Sequence, residues 1–284
     1  MEKSQHQKQI NINGKLFTFE RPVVMGILNA TPDSFFDGGK YNNETTIAQR
    51  AQELIDQGAA IIDVGAYSSR PGADHISEEE EWQRLDQALK LIRKNHPDAV
   101  VSVDTFRSEI ARRSVETYRV DIINDISGGL MDPRMFATMG RLNVPYILMH
   151  MKGTPQNMQQ HIAYGTDIME EISLFFSRQV FELTQHGVND IILDPGFGFG
   201  KTIEHNYNIM RRLEEFQTHN LPLLVGISRK SMIYKTLGTT PEKSLNGTTV
   251  LNTLAIERGA NILRVHDVAE AVECINLVEY MKTS

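Results

Sequence analysis

Eight short apolar runs, each ending on a polar side chain, constrain this 284-residue chain more than any other feature. Val23-Val24-Met25-Gly26-Ile27-Leu28 stops at Asn29, Ala60-Ile61-Ile62 at Asp63, and Val100-Val101-Ser102-Val103 at Asp104. Asp121-Ile122-Ile123 reaches Asn124-Asp125, Val144-Pro145-Tyr146-Ile147-Leu148-Met149 reaches His150, and Asp190-Ile191-Ile192-Leu193 reaches Asp194. Leu223-Leu224-Val225-Gly226-Ile227 leads to Ser228-Arg229-Lys230, and Asn261-Ile262-Leu263 to Arg264-Val265-His266. Short continuous apolar runs, each followed by a polar loop and a helical stretch, describe parallel strands buried on both faces. Eight in succession predict an α/β fold, a single (β/α)8 barrel of the TIM type, whose active site lies at the C-terminal ends of the strands. The polar residues stand at that edge, so the chain reads as an enzyme.

Division by an average domain length would allow two domains, but barrels of this kind run to this size as one. The expected organisation is an N-terminal extension and hairpin over residues 1–20, then the barrel over 21–284. In the first part, Ile10 and Ile12 precede Asn13-Gly14, a type I′ turn signal, and Leu16, Phe17 and Phe19 follow. Such a hairpin would plug the bottom of the barrel. Helical stretches are expected at about 44–57, 78–95, 107–117, 132–140, 167–186, 203–217, 243–258 and 267–281. The loops from Thr31 to Asn43 and from Tyr67 to Ile76 are long for strand-to-helix connections, which suggests lids or substrate clamps.

Several functions are disfavoured. A net charge of −7, with no stripe of Lys or Arg, argues against a nucleic-acid surface. No stretch reaches about 18 apolar residues, and the first residues lack the apolar core of a secretion signal, so a cytoplasmic protein is expected. The single cysteine, Cys274, lies among Ala271, Val272, Ile275 and Val278 and reads as a packed thiol. Glu78-Glu79-Glu80-Glu81 after Ser77 reads as a capped, solvated helix start rather than a metal site. Gly196-Phe197-Gly198-Phe199-Gly200-Lys201-Thr202 imitates a nucleotide-binding loop, but Pro195 stands where that motif needs its first glycine. It is read instead as a glycine-rich loop letting backbone and rings approach a flat ligand.

Asp104, Asn124 and Asp194 should converge over the barrel mouth, with Lys230 beside them. Two carboxylates, an amide and an ammonium suit a ring with several donors and acceptors, since a carboxylate accepts two parallel N–H bonds. Arg264 and His266 alternate on the last strand and point the same way. Together with Ser228-Arg229-Lys230, which should open a helix, they offer two candidate anion sites.

These residues lie within blocks that resemble the dihydropteroate synthase family. Met25-Gly26-Ile27-Leu28-Asn29-Ala30-Thr31-Pro32-Asp33-Ser34-Phe35 is similar to its first signature, and Asp63-Val64-Gly65 with Ser68-Ser69-Arg70-Pro71-Gly72 to its second. Ser102–Thr105, Ile123–Gly129, Met149-His150-Met151, Asp194–Lys201, Ser228-Arg229-Lys230 and Arg264–Asp267 look like the remaining blocks, in order, so the resemblance covers roughly residues 20–280. It implies condensation of (7,8-dihydropterin-6-yl)methyl diphosphate with 4-aminobenzoate, the step of folate synthesis that sulfonamides block. By that resemblance Asp104, Asn124, Asp194 and Lys230 hold the pterin, together with Met149. Asn29 is the protein ligand of a Mg²⁺ on the diphosphate, and Arg264 and His266 clamp that diphosphate. Ser69, Arg70, Phe199 and Ser228 shape the aminobenzoate site, and Asp104, Lys230, Arg264 and His266 are the catalytic set. The family also implies a homodimer through barrel helices.

The chain departs from the family at Ala66-Tyr67-Ser68-Ser69, where Gly-Glu-Ser-Thr is usual, and at Ala30, where Val is more usual. The serine keeps a hydroxyl, whereas Tyr67 replaces an acid with a large ring. A methyltransferase domain on the same barrel would share the pterin carboxylates but has no use for Arg264, His266 or Asn29 as anion ligands. A catalytically silent pterin-binding protein should have lost part of the site, and here every block is present.

Overall fold

Alternation along each strand decides which side chains enter the barrel and which face the helices. The computed structural model describes residues 8–30, 43–67, 75–158, 162–165 and 167–284. After the antiparallel pair β1 (Gln9–Ile12) and β2 (Lys15–Thr18) come eight strands: β3 (Val23–Asn29), β4 (Ile61–Gly65), β5 (Val101–Asp104), β6 (Ile122–Asp125), β7 (Tyr146–Met149), β8 (Ile191–Asp194), β9 (Leu224–Val225) and β10 (Ile262–Val265). They pair in parallel in the order β8-β7-β6-β5-β4-β3-β10-β9. Leu193 of β8 also bridges Leu223, just before β9, and its N–H donates to Pro222 O at 2.9 Å. That contact brings the two ends of the sheet together and closes the barrel.

The helices form the outer layer: α1 (Asn43–Asp56), α2 (Glu78–Asn95), α3 (Ser108–Tyr118), α4 (Met135–Leu142), α5 (Ile168–Gln185), α6 (Ile203–Arg211), α7 (Ser231–Tyr234), α8 (Leu245–Glu257) and α9 (Val268–Thr283). Outward-facing Val24, Leu28, Ile62, Val64, Val101 and Val103 pack with Leu54, Leu85, Leu89, Ile110 and Ile275 of the helices in one apolar cluster. Cys274 lies in that cluster, 3% exposed, as a packed thiol. Ends are set locally: Ser77 Oγ accepts from Glu80 N and starts α2, while left-handed Arg119 and Asn143 stop α3 and α4.

Inside the barrel, the first inward layer is apolar. Met25, Ile61, Ile122, Ile147, Ile192, Leu224 and Ile262 form one cluster with Ile10, Ile12 and Phe19 of the hairpin segment. The hairpin therefore closes the bottom of the barrel. Its turn residues Asn13 and Gly14 both have positive φ, 51° and 78°, as a type I′ turn requires. Asn13 Nδ2 donates to Asp121 Oδ1, and Asn11 N to Asp190 Oδ1 at 2.8 Å, which fastens the plug to the strand starts. Leu16 faces solvent instead.

Three local expectations need correction. The helix expected over 203–217 is α6 followed by a 3-10 helix at Leu213–His219. The run 223–227 contributes only Leu224–Val225 as strand, and the one-turn helix α7 follows it. Glu81 is fully buried rather than solvated, because Thr105 and Arg107 from the loop after β5 donate to its carboxylate. Burial still pushes the Glu81 carboxyl above its ordinary range.

The plug generates a stability prediction. Replacing buried Ile10 by Ala should cost about 2–5 kcal/mol, the usual range for truncating a core Ile, while Leu16→Ala, on the exposed side of the same hairpin, should cost less than about 0.5 kcal/mol. Urea unfolding of both variants checks this; equal losses would mean that the hairpin does not seat through Ile10.

Candidate functional site

Two residues beyond the floor residues of β4, β6, β8 and β10, the same strands carry a second inward layer, and there it is polar. With a period of two, Asp63 follows Ile61, Asn124 follows Ile122, Met149 follows Ile147, Asp194 follows Ile192 and Arg264 follows Ile262. Asp104 joins them from β5, directly paired in register with Asn124. This alternation brings together Asp104, Asn124 and Asp194, as expected, with Met149, and adds Asp63 and Arg264, the latter expected in a separate anion site with His266.

Asp63 is the centre of the layer. Arg264 Nε donates to Asp63 Oδ2 at 2.6 Å and Arg264 Nη2 to Asp104 Oδ2 at 2.8 Å. Asn124 Nδ2 donates to the same Asp63 Oδ2 at 3.1 Å. Asp63 Oδ1 is buried and has no partner among the described residues. Burial raises the Asp104 carboxyl well above its ordinary range, and Asp63 adds to that rise against the pull of Arg264. Arg264 is thus held between two carboxylates of the barrel interior, at the same depth as the expected ring pocket.

Asp194 stands across the layer, 5% exposed, with Gly196 N donating to its Oδ1 at 2.7 Å. Burial raises its carboxyl, with Lys230 opposing the rise. Lys230 Nζ donates to Phe197 O at 2.6 Å and lies 4.7 Å from the centre of the Phe199 ring. Burial brings the Lys230 ammonium down to about 8.

Above the polar layer sits an apolar collar. Phe106, Ile126, Met149, Met151 and Met158 are buried together, flanked by Tyr67, Met131 and Phe199. Methionines and aromatic rings make an adaptable slot for a flat ring whose polar edge points down to the carboxylates. Ser228 Oγ lies 3.1 Å from His266 Nδ1 and accepts from His266 N at 3.2 Å, joining the loops after β9 and β10. Asn29 ends β3 at the rim, half-buried. Ser69 and Arg70 lie outside the described residues. The helix after Ser228-Arg229-Lys230 is the single turn α7, too short to supply the expected helix-terminus anion site.

Three features were not foreseen. Asp63 was noted as a strand end but given no role, since only the register shows that it faces Arg264 and Asn124. His150 faces outward, its ring 5.0 Å from Phe175 and 6.4 Å from Tyr164. Lys201, 4% exposed, donates to Gly196 O at 2.9 Å, Phe199 O at 3.0 Å and His150 O at 3.2 Å, with His150 Nδ1 at 2.9 Å. It staples the glycine-rich loop to the end of β7. Gly196 is required there: its φ is +68°, and a Cβ would fall 2.0 Å from His150 O. The parity of a strand-end residue separates Met149 from His150, but the sequence shows nothing of the folded-back loop that buries Lys201.

Comparison with known proteins agrees with this fold. A family model described as pterin binding enzyme matches residues 25–266. The dihydropteroate synthase of Escherichia coli (strain K12) is 43% identical over 268 residues, covering 94% of this chain and 94% of that protein. The enzyme of that name from Synechocystis sp. is 44% identical over 252 residues, 88% of this chain and 86% of its own. A structure of Yersinia pestis dihydropteroate synthase with a sulfonamide drug superposes with a TM-score of 0.89 at 39% identity, covering 97% of this chain and 100% of that one. Xanthomonas albilineans dihydropteroate synthase, solved with 4-aminobenzoic acid, gives a TM-score of 0.89 at 32% identity over 98% and 99%.

Because Asp63 is fully buried and its partner Arg264 is not free to leave, Asp63→Ala should destabilise the protein by about 3–5 kcal/mol, the cost of breaking a buried ion pair. Asp104→Ala, at a side chain 17% exposed, should cost less. Denaturant melts of the two variants compare them directly; Asp104→Ala proving the more damaging would displace Asp63 from the centre of the layer.

Proposed function

We propose, since this chain belongs to the pterin-binding enzyme family and matches its dihydropteroate synthases over nearly its whole length, that it condenses (7,8-dihydropterin-6-yl)methyl diphosphate with 4-aminobenzoate to give 7,8-dihydropteroate and diphosphate. The observation that carries the reading is the buried polar layer itself: three carboxylates, one amide, a guanidinium and an ammonium in one barrel mouth, under an apolar collar.

The pterin presents an amino group and a ring N–H along one edge, which a carboxylate accepts in parallel. Asp194 takes that edge, while Asn124 and Lys230 meet the remaining ring atoms. The ring lies against Met149 and Phe199, with the methyl diphosphate directed outward. Arg264 donates its Nε and Nη2 to Asp63 and Asp104 and keeps Nη1 for the leaving diphosphate, beside His266. Asp104 faces the carbon from which the diphosphate departs and stabilises the positive charge that the ring delocalises there. The neutral aminobenzoate nitrogen forms the new C–N bond as the C–O bond to diphosphate breaks, and its proton then passes to the departing diphosphate or to water. It needs positioning more than a general base, and Ser228, Phe199 and the segment carrying Ser69 and Arg70 supply that.

Mg²⁺ belongs to the same reading. No group of three His, Cys, Asp or Glu able to hold a metal exists among the described residues, and Asn29 offers one neutral oxygen at the rim. That small donor set fits Mg²⁺, which keeps waters and substrate phosphate oxygens as its other ligands. When bound it neutralises charge on the diphosphate. No described helix is long and apolar enough to cross a membrane. A homodimer has a surface available on adjacent α8 and α9, where Val250, Leu254, Leu277, Tyr280 and Met281 are exposed.

Incubation with Mg²⁺, dihydropterin diphosphate and 4-aminobenzoate should yield dihydropteroate and pyrophosphate; neither product forming from verified substrates rejects the reading. Lys230 serves as a cation and its ammonium is lowered to about 8 by burial, so it discharges as pH rises through that value. The kcat/KM for the pterin substrate should therefore fall above about pH 8, and Lys230→Arg should move this limb out of range. An unmoved limb assigns it to another group. Leu277→Glu with Tyr280→Glu should give a monomer by sedimentation, and an unchanged dimer mass would place the interface elsewhere.

A further inference from the structure

Arg229 stands between two site residues, and Asp267 directly follows a third, yet the chemistry above uses neither. Both occupy positions that local structure would fill or use differently. Lys230 N donates to Ile227 O at 3.1 Å, closing a turn whose third residue is Arg229 with φ +57°. Glycine or asparagine normally takes that left-handed position, and an L-residue with a long side chain is strained there. Asp267 is the residue before α9, where an aspartate ordinarily accepts from the free N–H groups of the first turn. It makes no such side-chain bond. Instead the two meet: Arg229 Nε donates to Asp267 Oδ2 at 2.9 Å and Arg229 Nη2 to Asp267 Oδ1 at 2.6 Å. The Arg229 backbone is also held, its N–H donating to Thr248 Oγ1 of α8 at 3.2 Å.

This fork lies in register with a second contact. Ser228 meets His266, and one residue on along both loops Arg229 meets Asp267. Loop β9–α7 is thereby locked against loop β10–α9 at two consecutive positions, one of them a bidentate ion pair, which fixes angle as well as distance. From the same turn Lys230 reaches Phe197 O. Arg229 itself is far enough out for its side chain to be 30% exposed.

We propose that Arg229 is a positioning residue: its bidentate pair with Asp267 sets the turn that aims Ser228 at His266 and Lys230 into the pterin layer. The inference rests on the synthase reading for its kinetic consequence, but the mechanical claim stands apart from it. Two locally unfavourable choices, a left-handed arginine and an uncapping aspartate, are explained by one contact that neither makes for its own segment.

Glycine suits the left-handed turn, so Arg229→Gly removes the clamp while keeping the conformation. It should fold with an unchanged or higher melting temperature. In the synthase assay kcat should fall about 10- to 100-fold, the scale of an ångström misplacement, with each KM changing by less than about threefold, since the contacts to substrate remain. Asp267→Asn should lose as much, and the double variant no more than either alone, because one interaction is removed in each case. Arg229→Lys, which keeps the charge but not the fork, should share the loss. Independently of turnover, hydrogen exchange in the peptide spanning residues 226–231 should quicken at least tenfold in Arg229→Gly. A wild-type protein without synthase activity would reject the functional reading, and the exchange measurement would still judge the clamp. Wild-type kcat and exchange in Arg229→Gly, multiplying losses in the double variant, full activity in Arg229→Lys, or an unfolded Arg229→Gly protein would each overturn the proposal.

Discussion

The pairing of Arg264 with Asp63 and Asp104 is the interaction on which the site depends. A guanidinium in the mouth of a barrel is tolerable only with carboxylates against it, and carboxylates at such depth are tolerable only with a cation between them. The two acids come from neighbouring strands and the base from the far side of the first strand, so the pair also ties β4, β5 and β10 across the barrel axis. Asn124 leans on the same Asp63 oxygen, and its orientation follows from that bond. Arg264, Asp63, Asp104 and Asn124 thus form one connected set of hydrogen bonds, and under the proposed function ring recognition and anion handling would meet at Arg264.

Much of this architecture was legible in the chain. The eight apolar runs marked the strands, Asn13-Gly14 marked the plug, and the polar strand ends pointed to Asp104, Asn124 and Asp194 at one mouth. Legibility ends where partners come from distant segments. Glu81 looked like a solvated helix start because nothing near it announces Arg107, some 26 residues on. Lys201 looked like the end of a turn motif, and only the folding back of loop 196–200 against β7 buries it. The short β9 reads as a full strand by composition, yet it ends after two residues, and the chain goes on into the turn that Lys230 N closes on Ile227 O.

Support for the site is graded by depth. Asp63, Asn124 and Asp194 stand on strands, held by the barrel's own ladder. Phe199, Ser228 and Lys230 stand on loops and need fasteners: Lys201 for the glycine-rich loop, and the Arg229–Asp267 pair for the turn beside it. Rigid recognition of a ring and adjustable closure over a second reactant would call for this division. Loops supply reach, and buried ion pairs and staples return some of the precision that leaving the strand gives up.

The hairpin plug has a consequence for traffic. With Ile10, Ile12 and Phe19 filling the bottom, the barrel's own hairpin closes that end. Under the proposed function, a ring resting on the polar layer would have to go in before a second molecule above it, and an occupant of the upper position would bar the way down. Sequence of entry is then written into the shape of the cavity rather than into any change of affinity. A competitor for the upper position meets a different surface according to whether the lower one is already filled.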